Sequence, residues 1–402
     1  MKTDTIYEQW GVAPAINAAG TKTRVGGSRI RPEAMKAMEQ ASQEFVQLSE
    51  LQAGASDYLT DITGAEAGYV TNGAAGGLLL AAAACIARRD PAVMVRLPDT
   101  DGIPSDILMP RTHRTGYDHA LRTAGANLID IGTNDRALGT GARDVEPWEY
   151  EHAITDETVA IAHIHKDGRL PRLETVCDIA AAAEIPVIVD AAAEVPPNDN
   201  FTRFIDAGAD LVVFSGGKGI RGPQTTGILV GRADLIESAA LQHLDMHETG
   251  EVWNPPASLI DRDGLRGVPR QGIGRPLKVG KEELVGLLVA LEAFLAEDTV
   301  ARRQEWRQRL DRIEHALESI PSLSMWQEGG AKNVSPTLVI DLTEHTIDAS
   351  ALAKSLRQSD PRIIVGTDEV LFEQITVNPM CLTEDEADYV GGELAARLTD
   401  FR

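Results

Sequence analysis

One lysine of this sequence stands among glycines directly after an apolar run, an arrangement that can make an amine reactive. The apolar run at residues 211–215 leads into Gly216, Gly217, Lys218 and Gly219. Close packing against glycine backbone would strip water from the amine and favour its neutral, nucleophilic form. A solvated lysine in a glycine turn is the alternative. The pattern makes Lys218 a candidate catalytic residue.

An aspartate ends a second apolar run, at residues 185–190. The carboxyl ends of parallel strands face the crevice where such sheets bind ligands. There, Asp190 could keep a pyridine nitrogen protonated so that the ring withdraws electrons. A helix N-cap or a turn is the alternative role. The small residues Ala191, Ala192 and Ala193 come next and would leave room for a flat ring.

A glycine-rich turn at residues 70–78 offers a place for a phosphate group. Asn72, Gly73 and Ala74 lie between a short apolar run and an alanine-rich stretch that predicts a helix. The unpaired N–H groups and the dipole at a helix start attract anions. This turn is not a Walker loop, and it does not contain GxGxxG. The order of turn, aspartate and lysine along the chain is more informative than any one of them.

Strands and helices alternate through the middle of the chain, which predicts parallel βαβ units. Several of the predicted strands are apolar throughout, as expected when helices cover both faces of a sheet. The best interpretation is an α/β fold with a mostly parallel, doubly wound sheet. The predicted strands are residues 67–70, 92–95, 127–131, 159–164, 186–190, 211–215 and 227–230, and the predicted helices are residues 74–88, 114–124 and 174–184.

The pattern changes after the predicted sheet. Residues 243–274 are rich in proline, glycine and polar side chains, which predicts a long functional loop. Residues 282–317 have sustained helical character, and strands at 336–342 and 374–377 flank a helix at 350–358. We predict four parts: an N-terminal segment that closes the pocket, a large α/β domain, a linking helix and a small α+β domain. Their predicted bounds are residues 1–50, 51–280, 281–320 and 321–402.

Composition narrows the possible partners and the cell compartment. The chain has 402 residues with 38 basic and 61 acidic side chains, a net charge of −23 that repels nucleic acids and anionic membranes. Its longest apolar run, residues 78–87, is far shorter than the roughly 20 residues of a membrane-spanning helix. Cys85, Cys177 and Cys381 show no metal-ligand spacing and predict reduced core residues. We expect a soluble, cytoplasmic protein.

Several segments together resemble one family of known enzymes. The sequence is similar to the selenocysteine synthase (L-seryl-tRNA selenium transferase) and D-glucosaminate-6-phosphate ammonia-lyase family, a branch of the fold-type I enzymes that depend on pyridoxal 5′-phosphate (PLP). The similar segments span about two-thirds of the chain in family order. They are residues 16–21, 63–76, 113–119, 186–197, 214–218, 221–224 and 274–283.

The resemblance assigns roles to particular residues. Lys218 would form a Schiff base with PLP and move the α-proton, Asp190 would pair with the pyridine nitrogen, and His113 would lie over the ring face. A histidine at a helix entry is the alternative role of His113. The remaining assignments are cofactor contacts by Asn72, Gly73, Ala74, Ala192 and Ser215, and closure of the substrate pocket by Asn17, Thr21 and Arg24.

Two further groups of side chains allow more than one interpretation. Arg275 and Lys278 match a basic family motif and could bind a substrate carboxylate or phosphate, or could simply balance the acidic residues that follow. His163 and His165 point the same way if they lie on a strand, because side chains alternate along strands. A metal site there lacks a third ligand, so we expect no metal.

For the reaction, the resemblance favours a small-molecule lyase. Loss of the α-proton and elimination of a β-hydroxyl would convert a 2-amino acid into a 2-oxo acid and ammonia. Reprotonation on the opposite face, with His113 or a tyrosine as second acid, would instead give a racemase. The charge of −23 and the position of the Asn17 motif, close to the start of the chain, argue against the tRNA-dependent selenium transferase. Fold-type I enzymes build their pockets between subunits, so a homodimer or larger oligomer is expected.

Overall fold

The computed structural model describes residues 5–133, 145–166, 168–321, 323–329 and 334–400. The chain forms two compact units, one of Ile30–Glu292 and one of Met1–Arg29 with Ala293–Arg402. The four-part division predicted from the sequence is finer than this division into two units and stays a prediction.

The strands, numbered in chain order, are four to seven residues long. They are β1 Ala15–Ala18, β2 Ala67–Asn72, β3 Asp106–Pro110, β4 Asn127–Ile131, β5 Thr158–Ile164, β6 Val187–Asp190, β7 Leu211–Ser215, β8 Thr226–Gly231, β9 Ser324–Glu328, β10 Thr337–Asp341, β11 Arg362–Val365 and β12 Gln374–Val377.

The α-helices are α1 Pro32–Ala41, α2 Leu48–Thr63, α3 Gly73–Ala87, α4 Pro91–Arg96, α5 Asp118–Thr123, α6 Pro147–Ala153, α7 Leu173–Ala182, α8 Asn200–Asp206, α9 Ala233–His243, α10 Lys281–Leu295, α11 Thr299–Leu317, α12 Ala349–Leu356 and α13 Glu384–Asp400. Among the described helices, none combines the length and apolar character required to cross a membrane.

A seven-stranded sheet forms the centre of the larger unit. Its strand order is β2-β8-β7-β6-β5-β3-β4. The strands from β7 to β4 run parallel, whereas β8 is antiparallel to both of its neighbours. This is the mostly parallel α/β sheet that the sequence predicted. Since parallel strands all end at one edge, the segments that follow β3, β5, β6 and β7 meet there.

Helix α3 is the innermost helix of this unit. Every residue from 76 to 87 is buried, and the helix packs against β7, β8 and α9. Glycine is needed where the helix meets the sheet, because a Cβ atom at Gly77 would lie 2.9 Å from Cγ1 of Val213. The buried helix fixes its own first turn, residues 73–76, against the sheet.

The smaller unit has its own core around two further sheets. Strands β12, β10 and β9 form an antiparallel sheet, and β1 pairs in parallel with β11. Ile16, Leu310, Leu338 and Val390 are among the buried residues that pack between these strands and helices α11 to α13. The predicted elements at 336–342, 350–358 and 374–377 are confirmed as β10, α12 and β12.

Two of the sequence predictions were wrong in detail. Residues 92–95, predicted as a strand, form α4, because the carboxylate of Asp90 accepts a hydrogen bond from the N–H of Ala92 and Pro91 starts the helix. The single helix predicted at 282–317 is two helices. Asp298 accepts hydrogen bonds from the N–H groups of Val300 and Ala301 and so begins α11. The loop predicted at 243–274 is confirmed, since residues 244–274 contain neither a strand nor an α-helix.

Candidate active site

Lys218 lies in a tight turn directly after β7. A Cβ atom at Gly217 would come within 2.5 Å of Cα of Gln224, and one at Gly219 within 2.3 Å of the carbonyl oxygen of Val195. Only glycine therefore fits on either side of the lysine. The Lys218 side chain is half-buried, which agrees with the partly desolvated amine expected from the sequence.

A buried arginine supports the same turn. Arg31, at the start of α1, is 5% exposed, and its Nε donates a 2.8 Å hydrogen bond to the carbonyl of Ile220. Its backbone N–H donates to the carbonyl of Arg221, a residue held in the left-handed region with φ of 63°. The turn is thus fixed from outside as well as by its own glycines.

Asp190 is placed beside Lys218 by neighbouring strands. It ends β6 opposite Val213 of β7, so the segments after both strands leave the sheet at the same edge. Oδ1 of Asp190 accepts a 3.0 Å hydrogen bond from the N–H of Ala192. Burial raises the pKa of Asp190, while that hydrogen bond and the charge of Lys218 counteract the rise. The carboxylate and the amine therefore form an electrostatically coupled pair.

The predicted phosphate turn lies where β2 passes into α3. Gly73 has φ of 64°, and the side chain of Asn72 makes no capping hydrogen bond. A Cβ atom at Gly227 of β8 would lie 2.4 Å from the carbonyl carbon of Gly73, so glycine is required there too. Ser215 is paired with Gly227 across the sheet. The turn, Ser215 and Lys218 consequently occupy adjacent positions at one edge of the sheet.

The electrostatics of this turn favour an anion. The first turn of α3 contains no acidic residue. Its N–H groups carry the positive end of the dipole of a 15-residue helix. The sequence had pointed to Asn72, Gly73 and Ala74, but Gly227 was not recognised. A glycine inside an apolar strand was the available signal, since it often marks a close backbone approach.

His113 follows β3 and is held by backbone groups on both ring nitrogens. The N–H of Ile164 donates to Nδ1 at 3.3 Å, and Nε2 donates to the carbonyl of Leu170 at 3.2 Å. The ring is fully buried, and this burial lowers its pKa to about 4. His113 is therefore a neutral ring in a fixed tautomer. Its predicted position over a cofactor ring stays a prediction.

Two arginines hold the turn that carries His113. Arg111 and Arg114 both pair with Asp130 at the end of β4, at 3.2 and 2.6 Å, and Arg114 also pairs with Asp118. These ion pairs link β3, β4 and α5 around the histidine. The sequence had drawn attention to this segment only through its resemblance to the family.

His163 and His165 lie next to His113, behind the sheet edge. The His163 ring meets the His113 ring edge to face, with centroids 4.7 Å apart, and His165 packs against Phe204 at 4.7 Å. Burial lowers the pKa of His163 to about 2. Within the described residues, no group of three histidine, cysteine or acidic side chains is arranged to hold a metal ion. The His113 and His163 rings therefore pack together as neutral groups.

Arg275 lies on the segment that precedes α10. Its Nη1 donates a 2.8 Å hydrogen bond to the carbonyl of His243, the last residue of α9. The guanidinium is half-buried, whereas Lys278 is exposed. The structure therefore gives different exposure to two cations that the sequence had grouped in one motif. The predicted contact of Arg275 with a substrate stays a prediction.

The predicted pocket-closing residues Asn17, Thr21 and Arg24 belong to the smaller unit. Nδ2 of Asn17 donates to the carbonyls of Gly20 and Gly27 at 2.8 and 3.2 Å, and Oδ1 accepts from the N–H of Ala19. Asn17 thus organises the loop that carries Thr21 and Arg24. The proposed contact of these residues with a substrate stays a prediction.

This arrangement of sheet, helices and site defines a class of protein. It is the fold-type I fold of PLP-dependent enzymes, which solved aminotransferase and NifS-like structures share. Residues 15–247 match the model of the L-seryl-tRNA selenium transferase family, and the chain belongs to that family.

Individual relatives are similar over most of the chain. A 5′-C-glycyluridine monooxygenase-decarboxylase of Streptomyces is 30% identical over 98% of this chain and 92% of its own length. A D-glucosaminate-6-phosphate ammonia lyase of Salmonella typhimurium is 30% identical over 73% of this chain and 70% of its own length. A solved structure of D-glucosaminate-6-phosphate ammonia-lyase has a TM-score of 0.79 and 26% identity, covering 99% of this chain and 100% of that one.

Proposed function

We propose that this protein is a PLP-dependent ammonia-lyase that converts a small 2-amino acid with a β-hydroxyl group into a 2-oxo acid and ammonia. One observation carries the proposal. An amine, a half-buried carboxylate and a helix-start turn without acidic residues lie at one edge of a single sheet, in a chain that is 30% identical to an ammonia lyase over 73% of its length.

The residues at this edge fit PLP in charge and in shape. The turn at residues 72–74 offers N–H groups and no acidic side chain to a phosphate. Gly227 allows strand β8 to lie directly against that turn, in a space that a Cβ atom would fill. Asp190 offers a carboxylate to a pyridinium nitrogen, and Lys218 offers an amine to an aldehyde. When bound, PLP supplies an electron sink for the amino acid.

The chain's own residues then move the protons. Nζ of Lys218 takes the proton from the α-carbon and returns a proton to the departing β-hydroxyl, so one group serves as base and acid. Burial raises the pKa of Asp190, while the Ala192 N–H and the Lys218 charge oppose the rise. The positive charge of a pyridinium nitrogen would favour the ionised carboxylate further. The tight glycine turn fixes the backbone on both sides of Lys218, so its side chain starts from a defined position.

The geometry of His113 argues against the racemase alternative in its simplest form. A racemase needs a second acid on the opposite face of the substrate. Both ring nitrogens of His113 are hydrogen-bonded to backbone groups, and burial lowers its pKa to about 4. His113 is therefore neutral at neutral pH, and its one ring proton, on Nε2, is held by the Leu170 carbonyl, so a racemase would need another acid.

A second candidate reaction is suggested by the Streptomyces relative. That enzyme is named a monooxygenase-decarboxylase, and it matches this chain over a larger share of both sequences than the ammonia lyase does. The alternative for this protein is an oxygen-consuming decarboxylation of an amino acid. The same Lys218, Asp190 and phosphate turn would be required, because only the fate of the substrate differs.

The cofactor is tested by absorbance. The purified protein, incubated with PLP and desalted, should show a visible band that borohydride abolishes, and Lys218→Ala should lack that band. Lys36→Ala, which removes an exposed lysine of the same unit, serves as the matched control and should retain it. A protein without the band, or a Lys218→Ala variant that keeps both band and turnover, would contradict the proposal.

The reaction is tested with a panel of 2-amino acids, including hydroxylated and phosphorylated ones. Ammonia, 2-oxo acid, carbon dioxide, dissolved oxygen and optical rotation are measured together. The lyase should release ammonia and 2-oxo acid in equal amounts without consuming oxygen. Oxygen uptake with carbon dioxide release would establish the second candidate, and loss of rotation without ammonia would establish a racemase.

We further propose that the protein acts in the cytoplasm as a homodimer or larger homo-oligomer. The oligomer is supported by the family's use of pockets between subunits. The cytoplasm is supported by the buried positions of Cys85, Cys177 and Cys381. Light scattering should give a mass of at least twice the 43.2 kDa of one chain. A monomer with full activity would contradict the oligomer.

A further inference from the structure

A buried hydrogen-bonded chain links strand β2 to the segment that carries Arg275. The Tyr69 hydroxyl and Nδ1 of His243 are 2.9 Å apart, and Nε2 of His243 is 2.8 Å from the carbonyl oxygen of Leu277. The two rings meet edge to face at 88°. Tyr69 is fully buried and His243 is 3% exposed. Water therefore does not compete for these bonds.

The directions of the two bonds follow from the chemistry of the groups. The carbonyl oxygen of Leu277 can only accept, so Nε2 of His243 carries the proton. Nδ1 is then an acceptor, and the Tyr69 hydroxyl donates to it. Burial and the charge of Arg275 lower the pKa of His243, which keeps Nδ1 unprotonated. The tyrosine thus fixes both the orientation and the tautomer of the histidine.

The same histidine also holds Arg275 directly. Its ring binds Leu277, and its carbonyl accepts the 2.8 Å hydrogen bond from Nη1 of Arg275. That carbonyl stands at the C-terminus of α9, where the helix dipole favours a cation. The backbone of the Arg275 segment also packs closely against the end of α9, since the N–H of Gly274 donates a 3.0 Å hydrogen bond to the carbonyl of Gln242. A Cβ atom at Gly272 would lie 2.5 Å from Cα of Gln242.

Both ends of this hydrogen-bonded chain, Tyr69 and Leu277, lie on segments next to the phosphate turn. Tyr69 lies on β2, the strand that leads into Asn72 and Gly73. Leu277 approaches the first turn of α3, where a Cβ atom at Gly76 would be 3.9 Å from its Cδ1. The tyrosine and histidine therefore set the position of Arg275 relative to the turn. Arg275 binds a backbone carbonyl. Within the described residues it makes no ion pair at 4 Å or less, although its charge contributes to lowering the pKa of Asp245.

We propose that His243, oriented by Tyr69, is a positioning residue that holds the Arg275 guanidinium where it binds an anionic group of the substrate, a carboxylate or a phosphate. The inference rests on the proposed function, because it requires a substrate at the PLP site. It goes beyond that function by naming Tyr69 and His243 as the residues that hold the Arg275 guanidinium in position for a ligand.

The test uses the PLP-loaded protein, four single variants and the double variant Tyr69→Phe/Arg275→Gln. Tyr69→Phe removes only the hydroxyl, His243→Gln removes the ring, and Arg275→Gln removes the guanidinium. Tyr150→Phe is the matched control, because Tyr150 is 1% exposed in the same unit and its hydroxyl has no hydrogen-bond partner in the described residues. Two properties are measured. The first is anion affinity, for inorganic phosphate and for acetate, from changes in the visible spectrum. The second is turnover of the best amino acid in the panel, as KM and kcat.

Tyr69→Phe and His243→Gln should weaken anion binding and raise KM about three- to tenfold, the effect of one hydrogen bond, with kcat within about twofold. Arg275→Gln should weaken binding at least as much, and adding Tyr69→Phe to it should cause no further loss. The relative losses with phosphate and acetate show which anion the site prefers. Tyr150→Phe should leave both properties unchanged.

Several outcomes would overturn the inference. One is a Tyr69→Phe variant with wild-type KM and anion affinity, and another is a Tyr150→Phe variant that is affected as strongly as Tyr69→Phe. A third is a loss of anion affinity on adding Tyr69→Phe to Arg275→Gln that equals the loss on adding it to the wild type. If Arg275→Gln binds both anions normally, the inference also fails. Failure of the proposed function is distinct, because it would appear as a wild-type protein without the visible band. Thermal unfolding of each variant identifies any loss that comes from misfolding.

Discussion

Asp190 is the residue whose charge the proposed chemistry needs most directly. Asp190→Asn keeps an oxygen that can accept the hydrogen bond from Ala192 but removes the negative charge. The pyridine nitrogen would then lose its counter-charge, so we expect retention of PLP with turnover lower by about 100-fold, the usual scale for removing one electrostatic contact to a reacting system.

Absorbance and initial rates of ammonia release check this prediction. Asp178→Asn is the control, because Asp178 is exposed on helix α7 of the same unit. Unchanged turnover in Asp190→Asn would show that the carboxylate serves only as a turn former, which is the alternative that the sequence left open.

Gly227 offers a second test at the scale of one residue. In Gly227→Ala the new Cβ atom would lie 2.4 Å from the carbonyl carbon of Gly73 and 2.7 Å from the N–H nitrogen of Ala74. Both contacts are with backbone, so the phosphate turn must move. We expect at least a tenfold weaker PLP affinity, roughly 1.4 kcal/mol or more, measured by titration of the apoprotein.

The control for this variant is Gly54→Ala. Gly54 is exposed within α2, and a Cβ atom there has no neighbour within 4 Å. Alanine should stabilise the helix by about 0.5–1 kcal/mol and leave PLP affinity unchanged. Equal PLP affinities in the two variants would show that Gly227 does not shape the turn.

At the scale of elements, the paired rings of His113 and His163 predict how stability depends on pH. Burial lowers their pKa values from 6.5 to about 4 and about 2. Below pH 6.5 the unfolded chain binds protons that the folded protein does not, so the free energy of unfolding falls as pH falls. For His113 the decrease continues to about pH 4 and amounts to roughly 3 kcal/mol.

His163→Phe removes one of these groups while keeping a ring. Urea unfolding at several pH values between 6.5 and 4 should show a shallower decrease, by up to about 1.4 kcal/mol per pH unit. His315→Asn, which replaces an exposed histidine of the smaller unit, should leave the slope unchanged. A slope in His163→Phe identical to that of the wild type would mean that His163 titrates normally in the folded protein.

Elements with a strong local signal could be predicted from the sequence, and those set by distant pairing could not. The alanine-rich helix α3 and the apolar strands β5 to β8 were predicted because their residues are buried on all sides. Strand β11 was missed because it follows the turn at Pro361 and forms only by pairing with β1, more than 300 residues away. The same holds for Tyr69 and His243, whose polar contacts have no local pattern.

At the scale of the whole molecule, charge predicts which partners the protein rejects. The net charge of −23 opposes phosphate polymers, and the arginine-rich helix α11 does not offset it. Arg302, Arg309 and Arg312 of that helix pair with Glu297, Glu305 and Asp388 at 2.7, 3.1 and 3.0 Å. These side chains are therefore already neutralised by carboxylates.

We accordingly expect no binding of tRNA, even though the chain belongs to a family named for a tRNA-dependent enzyme. Filter binding of labelled tRNA by this protein should stay at background at all salt concentrations. A basic protein serves as the positive control. It should retain less tRNA as the salt concentration increases, because counterion release drives such binding. Retention by this protein that decreased in the same way would require a local cationic surface strong enough to overcome the overall charge. It would also return the selenium transferase to consideration, because that reaction needs a tRNA-bound substrate and the lyase reaction does not.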